Sequence, residues 1–239
     1  MSSLMHTVKR LAVVTTHPIQ YNAPLFKMLA QSEQLKLKVF YTSGESTLKK
    51  FDHGFGKYIE WNIPVLEGYE YTFVKNVAKK PGSHHFSGID NPGLIDEIES
   101  WRPSAILLYG WSFKSHLQVL RYFHKKTPIL FRGDSTLLNR KGFVKKFVRK
   151  QFLKWVYQHV DYALYVGTNN KAYFLAHGLK PDQLVFVPHA VDNDRFLAAS
   201  ALIRKNTDAW KESNGISPED TLFLFAGKLD HNKNVSLLI

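Results

Sequence analysis

Short apolar runs alternate with helix-like stretches along most of this chain, and this alternation limits its fold more than any other feature. Apolar runs at 11–15, 105–109 and 128–131 are short and rich in aliphatic or aromatic side chains, as buried strands are. Helical spacing of apolar residues follows the second and third runs, over 113–124 and 143–160. Strands that alternate with helices form a parallel sheet covered on both faces. We therefore predict an α/β, Rossmann-like fold.

The same pattern divides the chain. A stretch of irregular, glycine-containing sequence is predicted at 43–64, and a change of character follows residue 196. Beyond it, 197–215 is polar with helical spacing, and 221–226 has the composition of a new buried strand. We predict one domain over 1–196 and the incomplete start of a second over 197–239. Further strands are predicted at 35–42, 69–74, 162–166 and 184–187, and further helices at 23–30, 92–101 and 170–177.

Charge and composition narrow the function classes. The 239 residues carry a net charge of +12 with 44% hydrophobic residues, which excludes wholesale disorder. The absence of cysteine excludes disulfides, thiolate metal sites and cysteine nucleophiles. No run reaches the roughly 18–20 apolar residues that span a bilayer, so we expect a cytoplasmic protein. The positive charge predicts a partner with phosphate, anionic lipid or nucleic acid chemistry.

Polar clusters follow three of the predicted strands, at the edge where ligands bind in parallel sheets. After the first strand come His17, Gln20, Tyr21 and Asn22, whose hydrogen-bonding side chains would contact a donor or acceptor sugar. The alternative is a loop that these groups stabilise among themselves. Gly110 and Trp111 follow the strand at 105–109, and Arg132 and Asp134 follow the strand at 128–131. Arg132 and Asp134 are either site residues or a local ion pair.

The last segment combines a predicted strand, a glycine and two cations. Gly227 follows the strand, Lys228 is next to it, and Lys233 stands at the predicted helix start. Glycine lets a phosphate approach the backbone, and cations at a helix N-terminus suit a diphosphate. An ordinary strand and turn with solvated lysines would have the same pattern.

These motifs resemble those of family-four retaining glycosyltransferases of the GT-B architecture. The segment 222–239 resembles the opening of that family's nucleotide-sugar domain, and 187–196 is similar to its interdomain segment. The segment 165–178 is similar to the last strand and helix of its N-terminal domain. The first loop, 16–26, resembles that of one subgroup, as do Phe55-Gly56, Trp61 and Gly68-Tyr69.

The resemblance implies transfer of a sugar from a nucleotide sugar to a glycan or lipid-linked acceptor, with retention. Lys228 stands where the family usually has Arg, and Lys233 matches the family's Lys; both would neutralise the leaving diphosphate, so no metal or other cofactor is expected. Gly110 and Trp111 occupy the place of a frequent family His. Another family His corresponds roughly to Arg132 or Gly133. Arg132 and Asp134 would replace it, as a donor to phosphate and an acceptor for a sugar hydroxyl.

Basic residues are concentrated on the helix predicted at 143–160. Such a helix either lies on an anionic membrane surface or packs on the sheet with a solvated basic face. The first alternative predicts a peripheral location on the inner face of the membrane. The cations that would contact lipid are Lys145, Lys146, Arg149, Lys150 and Lys154.

Two other functions would also fit parts of this sequence. The family's paired acidic residues would lie beyond residue 239, so the 239-residue chain alone is expected neither to bind a nucleotide sugar tightly nor to turn it over. The rival is a non-catalytic domain that binds a membrane or protein partner through the basic helix. Nucleic acid is not expected as a partner, because no recognition motif accompanies the charge. His84 and His85 are adjacent, a spacing that rarely binds one metal ion.

Overall fold

The structure is a computed structural model. It describes residues 8–44, 50–52, 56–59, 63–138, 143–198, 200–217, 219–227, 229 and 233–238. A seven-stranded sheet organises the fold, and every pair of neighbouring strands in it is parallel. Its strands are β1 (Lys9–Thr15), β2 (Leu35–Tyr41), β5 (Glu70–Phe73), β6 (Ala105–Tyr109), β7 (Ile129–Arg132), β8 (Tyr162–Tyr165) and β9 (Leu184–Phe186). Outside this sheet, β3 (Lys50–Asp52) and β4 (Lys57–Ile59) form an antiparallel pair.

Helices follow most of the strands, as the alternation in the sequence predicts. Among the described residues, short 3-10 helices lie between elements at Phe86–Gly88 and Pro181–Gln183, and another covers Val235–Leu238. The α-helices are α1 (Ala23–Ala30), α2 (Leu94–Trp101), α3 (Lys114–Phe123), α4 (Phe143–Tyr157), α5 (Thr168–Ala176), α6 (Asn193–Ala198) and α7 (Ser200–Ser213). The predicted Rossmann-like α/β fold is confirmed.

The order of strands in the sheet is β5-β2-β1-β6-β7-β8-β9. The chain first builds outward from β1 to β2 and β5, and then returns to the other side of β1 to add β6 and its successors. A reversal of this kind creates a topological switch point, where two connections leave in opposite directions from neighbouring strands. In this fold the switch point lies between β1 and β6.

Side chains of β1 alternate between two hydrophobic cores, because successive residues of a strand point to opposite faces. Ala12 and Val14 pack into the larger core, and Leu11 and Val13 pack into the smaller one. Helices α2, α3, α4 and α5 contribute to the larger core, and Phe26 of α1 contributes to the smaller one. Burial on both faces explains why the central strands are nearly continuous apolar runs.

The chain divides into two compact units. The first comprises Met1–Leu48 and Glu60–Ala190, and the second comprises Lys49–Ile59 and Val191–Ile239. The whole parallel sheet belongs to the first unit, whereas the β3–β4 pair belongs to the second. The predicted division into domains 1–196 and 197–239 remains a prediction.

Two expectations about local structure are wrong. The segment 43–64, predicted to be irregular, contains β3 and β4. The segment 221–226, predicted to be a buried strand, has no regular secondary structure, and Phe223 and Leu224 are 84% and 83% exposed. A strand is stabilised by hydrogen bonds to a neighbouring strand, and no described residue pairs with this segment.

Candidate functional site

A cavity of about 250 Å³ opens at the carboxyl ends of β1, β6, β7 and β8, within the first unit. It lies at the switch point between β1 and β6, where sheets of this type bind their ligands. Hydrogen-bonding groups and apolar groups both contribute to its wall. The lining residues are Thr15, Thr16, Ile19, Tyr21, Asn22, Ser83, Tyr109, Gly110, Phe113, Arg132, Gly133, Asp134, Val166 and His189.

The loop after β1 supplies one wall. Asn22 is only 6% exposed, and its side chain does not cap the helix that begins after it. Its amide therefore remains available to the cavity that it lines. Tyr21 is exposed and stands edge-on to His189, with ring centroids 6.1 Å apart. His17 instead contacts the Thr16 hydroxyl through Nδ1 at 2.8 Å.

Predicted site residues in this loop thus have different positions. Tyr21 and Asn22 line the cavity, whereas His17 and Gln20 do not. The polar composition of 17–22 indicated a binding loop, but which side chains turn toward the ligand depends on the backbone of the loop. Pro18 and the two amides that donate to the Ile19 carbonyl, those of Asn22 and Ala23, set that backbone.

The turn after β6 separates Gly110 from Trp111. Gly110 lines the cavity with a φ of +72°, a conformation that residues with a Cβ rarely adopt. Trp111 is not among the lining residues and packs against Phe152 of α4, with ring centroids 5.3 Å apart. Its indole therefore joins the periphery of the larger core.

Arg132 is the charged group buried most deeply at the cavity, with 7% exposure. Its guanidinium donates through Nη1 to the Val187 carbonyl at 2.7 Å and through Nη2 to the Pro188 carbonyl at 3.2 Å. The salt bridges among the described residues join Lys38 to Glu70 and Lys114 to Asp90. Asp134 lines the cavity without forming an ion pair with Arg132, so the alternative of a local pair is wrong.

Tyr109 places a phenol beside Arg132. Its hydroxyl is buried and has no hydrogen-bond partner among the described residues. Burial raises the pKa of Tyr109 to about 12, although the charge of Arg132 opposes the increase. The phenol is therefore protonated at neutral pH and keeps an unused O–H donor.

His116, which the sequence analysis did not identify, forms hydrogen bonds with residues at the ends of β2 and β6, next to the cavity. Its Nδ1 lies 3.1 Å from the carbonyl oxygens of Tyr109 and Gly110, which only accept, so Nδ1 carries the proton. Nε2 then accepts from the Thr42 hydroxyl at 2.9 Å. Burial lowers the pKa of His116 to about 4, so the ring is neutral at pH 7. The contact joins the ends of β2 and β6 through α3.

Several residues that line the cavity belong to segments that the sequence analysis did not predict to be part of the site. Ser83 belongs to a loop closed by a backbone hydrogen bond from Gly82 to the Gly88 carbonyl. His189 follows β9, and Val166 follows β8. Neither composition nor spacing marked these positions, although the position of 166 and 189 after strands was a signal that could have found them.

The predicted diphosphate residues belong to the second unit. Gly227 and Lys233 are exposed, and Lys228 lies outside the described residues. Their predicted role remains a prediction.

Helix α4 exposes aromatic and aliphatic side chains next to its basic residues. Leu153, Val156 and Tyr157 are buried in the core. Exposed apolar side chains on the same helix are Phe147, Val148, Phe152 and Trp155. Arg149, Lys150 and Lys154 are exposed too, whereas the side chains of Lys145 and Lys146 lie outside the described part of the chain.

The described ranges contain no group of three or more His, Asp or Glu side chains placed to hold a metal ion. His85 lies 3.2 Å from the Ser87 hydroxyl through Nδ1. In these ranges, no helix combines the length and the apolarity needed to cross a bilayer.

Two solved structures are similar to this chain. A crystal structure of UDP-N-acetylglucosamine 2-epimerase matches with a TM-score of 0.51 and 13% identity, over 75% of this chain and 48% of that one. The structure of UDP-N-acetylglucosamine 2-epimerase from Rickettsia bellii matches with a TM-score of 0.44 and 15% identity, over 88% and 52%. The chain thus spans about half the length of these proteins. No protein-family model and no curated protein matches its sequence.

Proposed function

We propose that this chain contains the acceptor-binding part of a glycosyltransferase that uses a nucleotide sugar and retains the configuration of the transferred sugar. The observation that carries the proposal is the cavity at the switch point, with its many hydrogen-bonding groups. Sugars are recognised by such groups because each hydroxyl both donates and accepts. The fold that the chain shares with a UDP-N-acetylglucosamine 2-epimerase supports this class of ligand.

In the proposed reaction, the lining residues orient the glycan or lipid-linked acceptor. Asp134 accepts a hydrogen bond from an acceptor hydroxyl, and Arg132 donates to a phosphate or another oxyanion. Asn22 and Tyr21 bind further hydroxyl groups. Lys228 and Lys233 neutralise the departing diphosphate, where preorganised cations lower the barrier by stabilising the developing charge. No metal ion is part of the proposal.

The test measures transfer of labelled sugar by the full-length protein. UDP-, GDP- and ADP-sugars are offered with glycans and lipid extracts, and products are analysed by NMR. Movement of label to an acceptor with retained anomeric configuration supports the proposal. Release of an isomerised free sugar would point instead to an epimerase, and the absence of any reaction would contradict the assignment.

A second candidate activity, binding to an anionic membrane, is favoured by the surface of α4. Phe147, Val148, Phe152 and Trp155 are exposed on this helix beside three cations, as on helices that lie in the interface of a bilayer. We propose that these residues insert at the level of the headgroups. Arg149, Lys150 and Lys154 would then bind anionic lipid, and a lipid-linked acceptor would reach the enzyme from this surface.

Vesicle flotation tests the membrane proposal. Replacing Lys150 and Lys154 together by Gln removes roughly 1 kcal/mol of attraction for each charge. Binding to phosphatidylserine-containing vesicles should therefore weaken by about 30-fold. The matched control neutralises Lys79 and Lys80, which are also exposed and lie outside α4. An equal loss in the control, or equal binding to uncharged vesicles, would contradict a site on α4.

A further inference from the structure

We propose that the cavity of the first unit binds an oxyanion carried by a hydroxylated ligand, a sugar phosphate or a sugar acid, and that Arg132 holds the anion. The oxyanion site follows from the geometry around Arg132. Only the choice of a sugar as the body of the ligand rests on the proposed function.

The buried charge of Arg132 favours a bound anion. Its side chain is 93% buried, and burial of a charge is costly unless another charge compensates it. The carbonyls of Val187 and Pro188 accept hydrogen bonds from the guanidinium. They carry only partial charges and therefore do not neutralise it. No carboxylate among the described residues lies within 4.0 Å of it. A bound anion at the cavity would complete the site.

The guanidinium of Arg132 is also held in a fixed orientation. The two carbonyl contacts fix the plane of the guanidinium, which has five N–H donors in all. The donors that these carbonyls do not use remain for the cavity that Arg132 lines. A planar, fixed fork of N–H groups matches the oxygens of a carboxylate or phosphate in a bidentate contact.

Tyr109 supplies an independent observation. Its buried hydroxyl has no partner among the described residues, although buried polar groups are nearly always hydrogen-bonded. The residue lines the same cavity as Arg132. Because burial raises the pKa of Tyr109 to about 12, the phenol keeps its proton and can donate to an oxyanion.

The other polar groups of the cavity indicate a ligand that also has hydroxyls. Asp134 is exposed, so water and salt screen its charge and its oxygens accept from O–H groups. Thr15, Asn22, Tyr21 and His189 add further donors and acceptors. A volume of about 250 Å³ corresponds to about eight waters at roughly 30 Å³ each. This space suits one sugar ring with one anionic group.

The experiment titrates the 239-residue chain, labelled with ¹⁵N at arginine, with five probes. These are inorganic phosphate, glucose 1-phosphate, glucuronate, glucose and uridine diphosphate. We expect glucose 1-phosphate or glucuronate to bind at least tenfold more tightly than glucose and to shift the Nε–H signal of Arg132. Whichever of these two probes binds more tightly shows whether the site prefers a phosphate or a carboxylate.

Three variants locate the site. Arg132→Gln should weaken binding of the anionic probe at least tenfold, and Tyr109→Phe should weaken it about threefold. The second change removes only a hydroxyl that has no hydrogen-bond partner among the described residues, so folding should be unaffected. Arg121→Gln is the matched control, because Arg121 is exposed and does not line this cavity. It should leave the affinity unchanged.

Several results would overturn the inference. One is equal affinity for glucose and its phosphate, and another is undiminished anion binding in Arg132→Gln. If Arg132→Gln does not fold, two other results together would contradict the inference. These are unchanged anion binding by Tyr109→Phe and an Arg132 Nε–H signal that the anionic probes do not shift in the unsubstituted protein. Binding of uridine diphosphate in place of the sugar phosphate would also overturn it, because the anion would then belong to the donor.

The outcome is separable from that of the proposed reaction. The titration needs neither a nucleotide sugar nor turnover. Anion binding without any transfer would support the site and contradict the transferase. Transfer to uncharged acceptors without anion binding would support the transferase and contradict the site.

Discussion

At the scale of single residues, the polar groups beneath the site are held in one protonation state by burial. His116 is fully enclosed and donates from Nδ1 to two carbonyls at the end of β6. Its Nε2 accepts from Thr42 at the end of β2. A charged imidazolium in this position would lack the water that stabilises it, so the native state favours the neutral ring.

We predict that His116 makes the protein less stable in mild acid. Its pKa is about 4 in the folded state and about 6.5 in an unfolded chain, so only the unfolded state takes up the proton between these values. The free energy of unfolding should therefore fall as the pH decreases from about 6.5 to about 4. The loss attributable to this residue, at about 1.4 kcal/mol for each pKa unit, is about 3 kcal/mol.

Urea denaturation at several pH values measures this dependence. His116→Gln should flatten the slope between pH 6.5 and 4 and lower the stability at pH 7, since the contacts with the strand ends change. A smaller slope should remain from His177, whose pKa burial also lowers. An unchanged slope in the variant would show that His116 does not titrate as proposed.

At the scale of the element, α4 illustrates how a helix can satisfy the core and still expose apolar residues. The spacing of its apolar residues predicts a helix. These residues also occupy a wider part of the helix surface than the sheet can bury. The structure places Leu153 and Val156 at 0% exposure and leaves Val148 at 62%. Which part of the band faces the sheet was not determined by the periodicity.

We predict that two apolar positions on α4 differ sharply in their contribution to stability. Leu153→Ala should lower the free energy of unfolding by about 2–5 kcal/mol, because it leaves a cavity in the larger core. Val148→Ala should change it by less than about 0.5 kcal/mol, as substitutions at exposed positions do. Chemical denaturation of both variants provides the comparison. A similar loss in the two would mean that the exposed side of α4 is covered.

At the scale of the whole molecule, the site exists because of the order of the strands. Thr15, Tyr109 and Arg132 are far apart in sequence, but β1, β6 and β7 are consecutive in the sheet. Tyr109 and Arg132 are partners in the parallel register. Both hydrophobic cores and all seven parallel strands belong to the first unit.

We predict that a chain ending at Ala190 retains the fold of the first unit. Each buried core residue lies before that point, and so do the Val187 and Pro188 carbonyls that hold Arg132. Urea unfolding should remain cooperative, and the ¹⁵N signal of Arg132 should be preserved. Loss of cooperativity would show that residues 191–239 are needed for the core.

The sequence by itself determined the fold class, because alternating apolar runs and amphipathic stretches have few solutions besides a parallel sheet with helices. It also indicated the polar turns after the strands, including Tyr21, Asn22, Gly110, Arg132 and Asp134. The strand that the sequence predicts at 221–226 is wrong, because an apolar composition alone does not form a strand without a neighbouring strand to pair with.

Only the tertiary structure decided which of these polar residues meet. Strand order places the switch point between β1 and β6, and no local pattern encodes that order, because it results from long-range pairing. The same packing turns Trp111 toward α4 and leaves Arg132 buried without a carboxylate partner among the described residues. The sequence thus specified the chemical groups, and the tertiary structure gave them the burial and the neighbours on which a binding site depends.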